Sequence, residues 1–159
     1  MATKTEKSRV IEILTYYRNI DGEIKTYKSI VEDLEGYYDP LCGQPLDGMP
    51  RARNNISQVT ENTAINLPEN LREDIDYYKA KINSLYLLKA ETLKEVSNLG
   101  PKFKGIIIDY YLYGLKWEQV SVRNHYSERQ CKNIRNTAVE SLAQKFRDNK
   151  AIADFKIPS

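Results

Sequence analysis

The stretch from residue 10 to residue 34, VIEILTYYRNIDGEIKTYKSIVEDL, decides the fold class. Val10, Ile13, Tyr17, Ile20, Ile24, Tyr27, Val31 and Leu34 follow one another at alternating steps of three and four residues. That is a heptad seam: Val10, Tyr17, Ile24 and Val31 hold one core position, and Ile13, Ile20, Tyr27 and Leu34 the other. The residues between are mostly polar. Thr3 or Thr5 can cap the start, and Gly36 sits where a left-handed residue would end the helix. Such a helix leaves an apolar stripe that needs a partner.

A second stretch of the same length and period supplies one. Leu71, Ile75, Tyr78, Ile82 and Leu85 continue the three–four stepping, and the seam then drifts through Leu88, Leu93 and Val96 to Leu99, before Asn98 and Gly100-Pro101 stop it. Helical character starts near Thr60, with a short candidate over 61–67 and Pro68-Glu69 kinking it or opening a new first turn. Between the two stretches, residues 37–57 carry Asp39-Pro40, Cys42-Gly43, Gln44-Pro45, Asp47-Gly48 and Met49-Pro50, a run of turn signals that reads as a loop. Arg51 and Arg53 in that run read as solvated charges. The economical arrangement is an antiparallel, coiled-coil-like helical hairpin over 1–100. Either helix can instead pair with its counterpart in a second chain, making a homo-oligomer.

Residues 101–150 change character. Helices become shorter: 103–113 ended by Gly114, 116–124, and a third helix capped by Ser127 that runs to about Arg147. Residues 151–159 read as a tail. No segment alternates like a strand, so the expected class is all-α, a long hairpin followed by a C-terminal helix-turn-helix module of three helices.

Charge is distributed unevenly over the 159 residues. Residues 1–50 hold six Lys/Arg against nine Asp/Glu, residues 51–100 seven of each, and residues 101–150 ten against five. A basic segment on an acidic-to-neutral chain suits one polyanion-binding end. Charged residues at 29% and a hydrophobic share of 41% suit a folded chain rather than a disordered one. No apolar run approaches the ~18–20 residues of a membrane span, and charge throughout the first thirty residues excludes a signal-peptide core. Two unpaired cysteines, Cys42 and Cys131, fit a reducing cytosol, and with one histidine, His125, a zinc site is not expected.

Catalytic patterns are missing. The chain has no Gly-rich phosphate loop, no Ser-His-acid set and no metal-ligand cluster, and Glu73-Asp74-Asp76 reads as a solvated helix face. Neither enzymatic activity nor a cofactor is expected. His125 falls in the turn between two helices, and Cys131 on the inner side of the last helix, where it is a small core residue.

The informative region is therefore 103–147. Trp117 and Val120 give the middle helix an inward face, and Cys131, Ile134, Ala138 and Leu142 do the same for the last. Facing outward near the start of that last helix are Glu128, Arg129, Gln130, Lys132, Asn133 and Asn136, side chains able to read base edges. Ser127 adds a helix N-terminus that can face a phosphate. Lys116, Arg123 and Arg135 are expected to contact the backbone without reading sequence.

Gly114-Leu115-Lys116-Trp117-Glu118-Gln119-Val120, then Tyr126-Ser127-Glu128-Arg129, then Ala138 and Leu142, resemble the C-terminal motif of phage-encoded regulators similar to region 4 of the sigma-70 class, of the ArpU/RinA late-activator type. Residues 17–24 and Asn62-Thr63-Ala64-Ile65 resemble the long helices that precede that module in the same family. The resemblance implies a sequence-specific, sigma-factor-like transcription regulator of phage or prophage late genes. It would act in the bacterial cytoplasm on double-stranded DNA, with host RNA polymerase as a further partner and no membrane. Departures from the pattern are Lys116 in place of a capping Ser or Thr, Ser121 in place of Ala, Cys131 in place of Val, and Asn124 where Leu closes the middle helix, a change expected to loosen its packing. Two rival readings use the same helices differently: a phage small-terminase-like DNA-recognition subunit, and a coiled-coil protein-binding adaptor or inhibitor.

Overall fold

The computed structural model describes residues 2–36 and 69–158. The expected loop over 37–57, the short helix over 61–67 and the Pro68 start, with Arg51, Arg53 and Cys42, lie outside the described residues. Among the described residues every regular element is a helix. The long pair is α1 (Lys4–Gly36) and α2 (Glu69–Ser97), followed by α3 (Pro101–Ile107), a π-helical turn (Ile108–Leu112), α4 (Trp117–Asn124), α5 (Glu128–Asp148) and α6 (Lys150–Ala153). No helix among them is long and apolar enough to cross a membrane.

Thr3 starts α1 by a reciprocal cap. Its hydroxyl accepts from the Glu6 N–H at 3.2 Å, and the Glu6 carboxylate accepts from the Thr3 N–H at 2.7 Å. Hydrogen bonding to the carboxylate, from the Thr3 backbone first and then from the Thr3 side chain, holds the Glu6 carboxyl below its ordinary range. At 33 residues α1 is about 50 Å long.

The chain divides into two compact units. In the smaller, Ile24–Asn83, α1 and α2 run antiparallel: Lys79 Nζ meets Glu35 Oε1 at 2.8 Å, and the Tyr27 and Tyr78 rings lie 5.8 Å apart. Ile24, Val31, Ile75 and Ile82 are buried between polar faces, as a two-helix seam requires.

The larger unit joins Met1–Glu23 to Ser84–Ser159. Residues 1–23 and 84–100, read from sequence as part of the arm, therefore cluster with the C-terminal helices. Within this unit α1 and α2 also lie side by side, with Lys89 Nζ 2.6 Å from Asp21 Oδ1. The apolar face is wider than a seam: Leu14 and Tyr16 are buried beside Val10, Ile13 and Ile20. On α2 the buried position is Thr92 and not Leu93, which is 40% exposed. Phe146 and Ile152 complete the core from the far end of the chain. Each large aliphatic buried in this way is worth roughly 1.5–3 kcal/mol.

Polar contacts tie the same elements at their edges. Lys7 pairs with Glu140 and Arg147 with Glu6, each at 3.0 Å. Asn149, which caps the end of α5, donates to Glu91 at 2.8 Å and to Glu95 at 3.1 Å. Residues 151–159, expected to be a tail, contribute the buried Ile152, and Phe155 accepts a hydrogen bond from Arg9 and lies 6.0 Å from the Tyr16 ring.

Candidate nucleic-acid interface

Pro101 opens α3 at its first position, where its missing N–H costs nothing. The helix then widens into the π turn: the Tyr113 N–H reaches back to the Ile108 carbonyl at 2.9 Å, and the chain leaves through Gly114 at φ +69°. Ile106, Val120 and Cys131, one from each of three helices, form a fully buried centre. Tyr110, Leu115, Trp117, Tyr126 and Ile134 pack around it half-buried.

A carboxylate sits inside this small unit. Asp109 is 6% exposed. It accepts a hydrogen bond from Asn124 Nδ2 at 2.8 Å and pairs with Arg123 Nε at 3.3 Å. Asn124 also donates to the Val120 carbonyl at 2.9 Å. Gly105 makes room for it, since a side chain there would place its first carbon 2.6 Å from Asn124 Oδ1. The departure from Leu at 124, expected to loosen the packing, is thus a polar lock between α4 and the π turn: amide and carboxylate satisfy each other where a Leu would leave Asp109 buried without that donor.

The turn that aims α5 is short. His125 takes the left-handed conformation at φ 57°, ψ 36°, ends α4 by donating to the Ser121 carbonyl, and is exposed. Non-glycine residues reach this region at a cost of about 1–2 kcal/mol. Ser127 then caps α5 as expected: its hydroxyl accepts from the Gln130 N–H and the Gln130 side-chain oxygen accepts from the Ser127 N–H, both at 3.2 Å. At α4 only one arm of such a box forms, because the Lys116 ammonium cannot accept; Gln119 Oε1 receives the Lys116 N–H at 3.0 Å.

Cys131, Ala138 and Leu142 bury the inner face of α5, with Ile134 half-buried. Glu128, Arg129, Gln130, Lys132, Asn133 and Asn136 are all exposed on the other. They are not equivalent. Arg129 makes no hydrogen bond or ion pair within the described residues. Gln130 has its carbonyl oxygen engaged in the cap, so the two-pronged pairing of a carboxamide with adenine requires opening that cap. Lys132 hangs with its ammonium 5.7 Å from the centre of the Trp117 ring, a distance at which cation–π attraction operates.

The residues expected at phosphates also separate. Lys116 and Ser127 are exposed. Arg123 is exposed but held by Asp109 and lies 6.0 Å over the Tyr113 ring. Arg135 points inward. It is half-buried, its Nη1 donates to the Tyr111 hydroxyl at 3.3 Å, its guanidinium lies 5.7 Å over Trp117, and its Nε is buried without a partner among the described residues. Burial pushes the Tyr111 hydroxyl above its ordinary pKa, with Arg135 opposing. Trp117 itself is half-buried and stacked on Tyr110, ring centres 4.0 Å apart.

Sequence reasoning did not find Asp109 or the Tyr110–Trp117 stack. The signal for the first was present: a lone acid inside Ile106-Ile107-Ile108-Asp109-Tyr110-Tyr111. Burial, then Glu128, pushes the Cys131 thiol up and away from its reactive form, and no group of three metal-binding side chains occurs among the described residues. Comparisons with protein-family models, with curated proteins and with solved structures each gave no match.

Proposed function

We propose that this chain is a non-enzymatic, double-stranded-DNA-binding transcription regulator, with the N-terminal half of α5 as its reader. One observation carries the reading. A run of polar side chains rich in Arg, Lys and carboxamides stands exposed on a helix whose opposite face is fully anchored, directly after a two-helix turn. Glu128, Arg129, Asn133 and Asn136 have no side-chain hydrogen bond or ion pair among the described residues and serve as base readers. Lys116, with Lys132 swung off Trp117, serves the phosphates.

A single module of this size buries only about 600–1,000 Å² on DNA, so useful specificity calls for a second copy or a second protein. The resemblance in sequence to late-gene regulators of phages makes host RNA polymerase that second protein and phage promoters the sites. Fluorescence anisotropy of a labelled duplex across salt concentrations tests the reading. A regulator of this kind loses affinity steeply as salt rises, because each phosphate contact releases a counterion. No binding at the lowest salt would leave the adaptor reading in its place.

A further inference from the structure

The geometry points to Arg18, on α1, as a phosphate contact that the first helix lends to the edge of this interface. The inference rests on the DNA-binding reading above and deepens it.

Arg18 lies against Gly114. A side chain at 114 would collide with Arg18 Nη1, and its first carbon would stand 3.4 Å from Cζ and 3.6 Å from Cδ, so the guanidinium rests on the bare glycine backbone. Gly114 is needed twice here, for its positive φ and for this close approach. Two residues later the chain reaches Lys116, which precedes α4 and is exposed. In a helix-turn-helix the first helix of the pair crosses the phosphate backbone while the second enters the groove. The Gly114–Lys116 turn that feeds α4 is then the part of the unit turned toward a phosphate run, and Arg18 sits on it.

Availability separates Arg18 from its neighbours. Arg123 is tied to Asp109 and Arg135 to Tyr111, whereas Arg18 is exposed and makes no hydrogen bond or ion pair within the described residues. A planar fork without a partner among the described residues, on the same turn as an exposed ammonium, is suited to a phosphodiester by charge and by geometry. Arg18 also lies within the large compact unit, so its position relative to α4 and α5 is set by the same core.

The test is anisotropy of the full chain on a labelled random-sequence duplex, comparing Arg18→Ala, Arg18→Lys and Arg18→Gln with the parent at about 50 and about 200 mM salt. One lost phosphate contact lowers the slope of log affinity against log salt by about 0.9, so the Arg18→Ala deficit is about 3.5-fold larger at the lower salt. Arg18→Lys keeps the parent's slope. Arg18→Gln removes the charge but keeps the side chain as far as the Cδ that lies near Gly114, and shows the reduced slope even if truncation to Ala lowers the melting temperature. A parent that binds DNA with variants of unchanged slope overturns the role of Arg18 alone. A parent that binds no duplex at about 50 mM salt overturns the DNA-binding reading and this inference with it.

Discussion

Replacing Asp109 by Ala removes the one carboxylate buried among the described residues, and the structure sets the size of the effect. The Asn124 hydrogen bond, at 2.8 Å to a charged acceptor inside the unit, is of the class worth about 1.5–3 kcal/mol. The Arg123 pair adds at most about 1 kcal/mol, because that guanidinium is 59% exposed and regains water when released. Asn124 keeps its bond to the Val120 carbonyl, which limits the loss. The expected cost is about 2–3 kcal/mol, or about 4–12 °C in melting temperature for a chain of this size. Arg123→Ala should cost less than about 1 kcal/mol. The decisive measurement is the double-mutant cycle with Asn124→Ala, followed by urea unfolding, in which the coupling energy should be about 1–2 kcal/mol. Coupling below about 0.5 kcal/mol, the level at which independent sites simply add, would refute the lock and return Asn124 to the loosening role expected from sequence.

Arg129→Ala should lose about 1–3 kcal/mol on a selected site, a five- to roughly 150-fold weaker binding, and relax the preference for that site over random DNA; equal loss on both would make Arg129 a backbone contact. Ser127→Ala should cost about 1 kcal/mol of stability by opening the α5 cap, read as a lower urea midpoint, and an unchanged midpoint would refute the cap. Glu91 has its pKa lowered first by the Asn149 hydrogen bond, so the stability it contributes is present above the unfolded value of 4.5 and fades as pH falls through the lower folded value. Asn149→Ala should therefore flatten the acid-side fall in melting temperature below about pH 4.5, and parallel curves for parent and variant would contradict that assignment.

Where burial has one side, the sequence was legible. In the smaller unit the alternation of three and four places Ile24, Val31, Ile75 and Ile82 inside with Tyr27 against Tyr78, because a two-helix seam uses only one stripe of each helix. The pattern became ambiguous where a third element covers a second flank. Leu14 and Tyr16 look like surplus apolar residues beside a heptad, yet both are buried, Tyr16 with its ring near Phe155, and Leu93 takes the seam's arithmetic while Thr92 takes the burial. Local signals for the turns held better, except at Gly36, which is the last residue of α1 and does not take the left-handed conformation expected there. Thr3, Ser127 and Gly114 each carry a backbone requirement that only a few residue types meet, so position and identity could be read together.

The outward face of α5 shows why residue type alone could not rank the candidate readers. Arginine, lysine and carboxamide are all suited to base edges, but each also has partners within its own fold, and those compete with DNA. Gln130 is committed to Ser127, Lys132 to the ring of Trp117 and Arg135 to Tyr111, so using them requires giving up an existing contact. For Lys132, itself exposed, that cost is about 0.5–1 kcal/mol, small against a phosphate contact, whereas withdrawing Arg135 from its half-buried place also uncovers Trp117. Arg129 has no such commitment, which makes it the residue whose loss should register most directly in specificity. Trp117→Leu, by releasing Lys132 without removing it, should strengthen binding to random DNA while leaving the preference carried by Arg129 intact; weaker binding at equal stability would show that the ring positions Lys132 for the phosphate rather than holding it back.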